Sequence, residues 1–258
     1  MRLWGALRAL LWIDPLICLS TIFMGSLSFL ASLWDGTGQR QHRIARRWAR
    51  MVLAVSGVTV TVKGLEKLCP GMVYVFCPNH LSLIDTPLVF GHLPWEFRIL
   101  AKKGLFRIPF LGWHLRRAGH LPVVEDDVRA SVRNLADAAR RVQEGVSILI
   151  FPEGARSPDG TMGPLKAGAA FVAIKAGVPI VPMGILGTGK VHVLGSLLVH
   201  PGAVELHIGA PLPTSGLSSR DVDRLLGQLG EQITALLDSD SPGPLSISTL
   251  VSSADKNR

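Results

Sequence analysis

FCPNHLSLIDTP, residues 76–87, is the stretch on which the fold turns. It opens as the end of an apolar run, MVYVFC at 72–77, whose aromatic and β-branched content suits a strand buried on both faces. Pro78 stops that run, Asn79 and His80 follow at once, and a helical pattern begins near Ser82. Such a junction delivers polar residues to the carboxyl end of a strand, which is where open α/β sheets bind ligands.

The same texture extends outward in both directions, as VTVTVKG at 58–64, FRILAK at 97–102, HLPVV at 120–124, VSILIF at 146–151, PIVPMGI at 179–185 and AVELHIG at 203–209. Val128, Val132, Leu135, Ala139 and Val142 make one helical stripe between these runs; Val222, Leu225, Leu226, Leu229, Ile233 and Leu236 make another. Alternation of this kind predicts an α/β domain over 57–237, with a mixed, largely parallel sheet flanked by helices. No internal repeat is present. The Ser-rich segment at 238–258 reads as a flexible tail.

Composition asks for a second feature. Charged residues are 18% of the chain against a globular norm of about 25%, and mean hydropathy is +0.34. Much of the apolar excess lies between Pro15 and Trp34, an uncharged run about as long as a helix crossing a bilayer core. Arg2, Arg8 and the Asp14-Pro15 pair precede it; Arg40, Arg43, Arg46, Arg47 and Arg50 follow without an intervening acid. That bias keeps the bulk of the chain on the cytoplasmic face. A cleaved signal with Ala31 near its end is the alternative, but Asp14 and the five arginines argue against export. A full span and a hairpin entering one leaflet fit these residues equally.

Ile44, Trp48, Met51 and Val55 share one helical face, and Arg40, Arg43, Arg47 and Arg50 another. This is an interfacial helix or a surface helix packed on the domain, and residues 1–56 are read together as anchor plus basic helix. The excess of 27 Lys and Arg over 19 Asp and Glu, a net charge of +8, suits an anionic partner. Cys18, Cys69 and Cys77 have no C-x-x-C spacing, so neither a disulfide framework nor a zinc cluster is expected and a reducing compartment is the simpler reading.

At the first junction, Asp85 stands close behind His80 and could fix its tautomer. Equally, Ser82-Leu83-Ile84-Asp85 is a capping box and His80 a turn residue. The strand at 147–151 ends in Pro152-Glu153-Gly154-Ala155-Arg156-Ser157, where Gly154 lets backbone amides approach a ligand and Arg156 offers a fork for phosphate, unless this is a plain turn. Between 98 and 117, Arg98, Lys102, Lys103, Arg107, Arg116 and Arg117 lie among Leu, Phe and Trp. That mixture suits a phosphate-bearing lipid. A solvated basic face would instead require Phe106, Phe110 and Trp113 to be buried elsewhere, and nucleic acid is disfavoured by the apolar leader and the single tyrosine. Cys77 could accept an acyl group, although a thiol closing an apolar strand is normally inert. GILGTGKV at 184–191 fails as a nucleotide loop at Val191 and reads as an ordinary loop. Glu125, Asp126 and Asp127 read as the start of the 128–142 helix, and no metal is expected.

Four motifs occur in order: N-H-x-x-x-x-D at 79–85, A-K-K-x-L at 101–105, F-P-E-G-x-R-S at 151–157 and V-P-I-V-P-M at 178–183. Over about residues 57–210 the chain resembles the glycerolipid acyltransferase family that includes 1-acyl-sn-glycerol-3-phosphate acyltransferases. The resemblance implies that His80 is the general base and Asp85 orients it. It further implies that Lys102, with Lys103 beside it, Glu153 and Arg156 hold the glycerophosphate, with Asn79 and Gly154 completing the substrate-binding set. Gly104 replaces an acid of the second motif, and Val123-Val124-Glu125 stands where members often carry isoleucine-aspartate-arginine, which removes one cation. The implied reaction moves an acyl chain from acyl-CoA or acyl carrier protein to 1-acylglycerol-3-phosphate, giving phosphatidic acid for phospholipid synthesis, without a cofactor. Its expected partners are membrane phospholipid and lysophospholipid and no nucleic acid. The alternatives are another acceptor, glycerol-3-phosphate or a different lysolipid, and a membrane module that binds anionic lipid without catalysis.

Overall fold

A computed structural model describes residues 9–123, 128–156, 161–193, 195–196 and 198–238. Arg2, Arg8, Val124 to Asp127, Ser157 and the tail from 239 onward lie outside these residues.

Among the described residues the apolar runs become seven strands: β1 (Val58–Lys63), β2 (Val75–Pro78), β3 (Phe97–Lys102), β4 (Leu121–Val123), β5 (Ser147–Leu149), β6 (Ile180–Leu186) and β7 (Gly202–Ile208). They form one sheet in the order β1-β7-β6-β2-β5-β3-β4. Every neighbouring pair is parallel except β6 and β7. β2 and β5 are buried throughout, as central strands covered on both faces must be, whereas edge strand β1 turns Thr59, Thr61 and Lys63 outward.

Side-chain alternation splits the core in two. Phe76, Phe97 and Leu149 face α2 (Gln39–Ser56) and α3 (Asp85–His92). Val75, Cys77 and Ile148 face α5 (Val128–Gln143), α6 (Gly168–Ala176) and α8 (Val222–Asp238). The predicted stripes at 128–142 and 222–236 supply Ala139, Val142, Leu225, Leu229 and Ile233 to this second layer. The expected α/β architecture, a mostly parallel sheet between helices, is the one observed.

The leader folds as α1 (Asp14–Ala31), entered by one π-helical turn at Ala9–Ile13, and then α2. Asp35 organises the turn between them, its carboxylate accepting from Thr37 N, Thr37 Oγ1 and Arg40 N; those bonds hold its pKa down at about 2. Gly38, at φ +84°, follows in a left-handed conformation, and a Cβ there would stand 2.7 Å from both Ala118 O and Arg98 Nη2. The segment Leu11–Ala31 is long and apolar enough to cross a bilayer, and most of it is exposed, including Trp12 and Phe23. Within α1 the buried residues are small, Ser20, Gly25 and Ser28. The helix docks on α4 (Leu111–Arg117): Ser28 Oγ lies 2.7 Å from His114 Nδ1, Gly25 meets Phe110, and Phe29 packs against Trp113 at 5.9 Å.

Three sequence readings shift here. The buried face of α2 is Ala45, Ala49, Val52 and Leu53, while Ile44, Trp48, Met51 and Val55 are only half-buried beside it. A helix must bring small residues to a close packing surface, and α2 packs on α3. Arg46 and Arg50 reach past the end of α3, donating to Leu93 O and Trp95 O and to Gly91 O, so two of the five arginines serve as helix C-terminal partners. Arg98 is buried rather than lipid-facing, donating to Thr37 O at 2.8 Å and Glu96 at 2.6 Å. Finally, GILGTGKV is not a plain loop: Gly184 to Leu186 complete β6, and Thr188–Val191 is a single helical turn, α7.

Candidate active site

The sheet register brings the motifs to one edge. Phe76 pairs with both Leu149 and Val181, and Leu149 with Ile99, so these four positions are level on β2, β5, β6 and β3. His80, Glu153, Ile185 and Lys103 each lie four residues beyond, past or at the carboxyl ends of those strands. All four strands point the same way, so the two proline-stopped junctions open side by side.

His80 is fixed from three directions. Its Nδ1 lies 2.8 Å from Asp85 Oδ2, an oxygen that also accepts from Leu81 N at 2.7 Å and Ser82 N at 2.8 Å. Its backbone N–H donates to Glu153 Oε1 at 2.7 Å. Its ring stacks on Phe151 at 3.9 Å between centroids. Asp85 is fully buried, and a carboxylate oxygen can only accept, so Nδ1 is the donor of this bond; in the neutral imidazole that tautomer has Nε2 as its acceptor. The two readings of Asp85 thus coincide: one oxygen ties the turn amides and orients the imidazole. Ser82 takes only part of the capping role, since its hydroxyl donates to His192 O at 3.0 Å and the helix starts at Asp85.

Glu153 uses both carboxylate oxygens on backbone amides, Oε1 on His80 and Oε2 on Gly163 N at 2.8 Å. It is almost fully buried, and burial raises its pKa against the opposing pull of those two amide bonds. Asn79 is buried too, and its side chain is consumed by β6, donating to Ile185 O at 3.1 Å and accepting from Ile185 N at 2.6 Å. Both residues therefore brace the turn that carries His80, their side-chain polar atoms engaged by backbone groups. The exposed Lys102 and Lys103 close β3 and follow it, while Arg156 lies seven residues past the end of β5 on the loop through Gly154, which is in the left-handed region at φ +74°. Cys77 lies in the opposite core layer, and burial pushes its thiol pKa up, which leaves no thiolate at neutral pH. Among the described residues no group of His, Cys, Asp or Glu is arranged to hold a metal ion.

Among the bracing partners Gly163, Ile185 and His192 carry no motif signal of their own, whereas Phe151 is marked as the first letter of F-P-E-G.

The acyltransferase family profile matches residues 59–186, which contain all of these contacts except Ser82 to His192. A chloroplastic 1-acyl-sn-glycerol-3-phosphate acyltransferase from Brassica napus is 36% identical over 173 residues, 66% of this chain and 50% of that relative. The chain belongs to the glycerolipid acyltransferase family. A 1-acyl-sn-glycerol-3-phosphate acyltransferase from Pseudomonas aeruginosa is 27% identical over 215 residues, covering 81% of this chain and 82% of its own. The crystal structure of the 1-acyl-sn-glycerophosphate acyltransferase PlsC from Thermotoga maritima superposes with a TM-score of 0.77 at 27% identity, over 91% of this chain and 95% of that one. The chain spans about half the length of the chloroplastic family members it matches.

Proposed function

We propose that this acyltransferase moves a fatty acyl chain from a thioester, acyl-CoA or acyl carrier protein, to the free hydroxyl of 1-acylglycerol-3-phosphate at the membrane surface, giving phosphatidic acid. The observation that carries the reading is the His80 Nδ1 to Asp85 contact at 2.8 Å, which supports an imidazole whose Nε2 takes a proton. The acceptor hydroxyl gives its proton to Nε2 as its oxygen attacks the thioester carbonyl. The tetrahedral intermediate then collapses, the C–S bond breaks, and the thiolate leaves with the proton that His80 returns. Asp85 steadies the imidazolium in between. A positioned base contributes about 10²- to 10⁴-fold, and holding two substrates together supplies much of the rest. The arrangement needs no acyl-enzyme, and the burial of Cys77 argues against one.

Glu153 and Asn79 act as positioning residues, while Lys102, Lys103 and Arg156 bind the acceptor's phosphate. In this reading residues 1–56 attach the protein to the membrane through the exposed apolar surface of α1, residues 57–237 carry the transfer chemistry on the cytoplasmic face, and the tail takes no part. The test is release of CoA thiol by the detergent-solubilised protein given oleoyl-CoA with lysophosphatidate, glycerol-3-phosphate, lysophosphatidylcholine or lysophosphatidylglycerol. Preference for lysophosphatidate supports the assignment. Preference for another acceptor refutes it, and release with none would show a binding module.

A further inference from the structure

Lys166 stands over the loop that leads to Arg156, and the mechanism above makes no use of it. Its backbone N–H donates to Pro152 O at 2.8 Å. Its side chain then lies flat across Gly154, where a Cβ would stand 2.5 Å from Nζ, 2.8 Å from Cε and 3.0 Å from Cδ. Because Gly154 has φ +74°, a side chain there would be strained and would also push the ammonium off the loop. The segment that carries Lys166 is clasped to the base-bearing turn by a single carboxylate, since Glu153 accepts Gly163 N on one oxygen and His80 N on the other. Lys166 is exposed, and among the described residues its ammonium has no carboxylate partner.

Charge balance at this edge calls for another cation. A phosphate monoester is largely dianionic at neutral pH, its second pKa being about 6. Counted among the described residues alone, Lys102, Lys103 and Arg156 stand against the carboxylates of Asp85 and Glu153, a surplus of one positive charge, half of what a dianion carries. Lys166, exposed with its ammonium over Gly154, is the cation placed to supply that charge.

We infer that Lys166 binds the acceptor's phosphate from across Gly154, beside Arg156; the inference rests on the phosphate-bearing acceptor proposed above. Lys166→Met keeps the aliphatic stem over Gly154 and removes only the charge, whereas Lys166→Ala removes both. For Lys166→Met the KM for lysophosphatidate should rise about tenfold or more, while the KM for oleoyl-CoA and the melting temperature stay close to wild type. Lys166→Arg should recover most of the loss. Binding of glycerol-3-phosphate, followed by thermal shift, reads the same contact without turnover and should weaken comparably.

An unchanged acceptor KM, or glycerol-3-phosphate affinity equal in Lys166→Met and wild type, overturns the inference. So does a melting temperature lowered equally by the Met and Ala variants with the KM for both substrates moving together, which would make Lys166 a structural spacer. Wild-type protein that prefers an acceptor without a phosphate monoester would instead overturn the functional reading itself, and the glycerol-3-phosphate comparison would still decide the role of Lys166.

Discussion

Glu153→Gln separates bracing from substrate binding, because it keeps the shape of the side chain and removes its charge. The carboxylate accepts two backbone N–H groups, from His80 at 2.7 Å and Gly163 at 2.8 Å. A glutamine has one acceptor oxygen, so its NH₂ must point at one of the two donors and that bond is lost. A hydrogen bond to a charged group is worth about 1.5–3 kcal/mol, and a buried N–H left bare costs about 1–3 kcal/mol. Against this, burial already disfavours the charge, as the raised pKa of Glu153 indicates, and a neutral amide escapes that cost. The net loss of stability should therefore be small, on the order of 1–2 kcal/mol. The catalytic loss should be larger, because a displacement of about 1 Å at a reacting group can cost roughly 10²-fold. Steady-state thiol release should show kcat reduced about 10²-fold with the acceptor KM little changed, and hydrogen exchange should show faster exchange at the amide of His80 or Gly163. An acceptor KM raised with kcat intact would place Glu153 on the substrate and refute the bracing role.

Asp85→Asn can keep its carbonyl oxygen on the three N–H donors and put its NH₂ where Oδ1 now lies buried without a partner, so His80 stays oriented but loses the charge that steadies its imidazolium. The rate should fall about 10- to 10³-fold, less than removal of His80, and a loss equal to that of His80→Ala would show that the turn had collapsed. Cys77→Ala should retain most of the turnover, and an acylated Cys77 trapped with acyl-CoA alone would contradict the direct-attack mechanism. Burial lowers the pKa of His114 to about 4 and that of His42 to about 3, with nearby Arg98 acting in the same direction on both. The unfolded chain takes up protons below about pH 6.5 that these rings refuse, so stability is full above that pH and should decline toward pH 4 by about 1.4 kcal/mol per unit for each histidine. Thermal melts should show His114→Gln flattening that slope, and an unchanged slope would mean that His114 does not stay neutral on folding.

The strands and the two long core helices were legible because their periodicity is a direct record of burial: β2 and β6 read as continuous apolar runs, and α5 and α8 as stripes. His80 and Asp85 were legible because both lie within one turn of chain. What escaped was whatever depends on contacts distant in sequence. Nothing near Glu153 announces that its carboxylate is spent on the amide of His80, 73 positions away, or that Asn79 binds the backbone of Ile185, 106 positions away. The burial of Arg98 was hidden likewise, since its partner Thr37 lies in the α1–α2 turn. For α2, the arginines marked the exposed side correctly, but the bulky residues misplaced the buried face, because tight packing on α3 selects alanine over tryptophan.

The central claim is that His80 is the base of a direct transfer, and steady-state CoA-thiol release by His80→Ala tests it most directly. With oleoyl-CoA and lysophosphatidate at saturation, turnover should fall by at least about 10², while the variant melts normally and still binds anionic vesicles. Turnover within about tenfold of wild type, a barrier change of only ~1.4 kcal/mol, would contradict the claim.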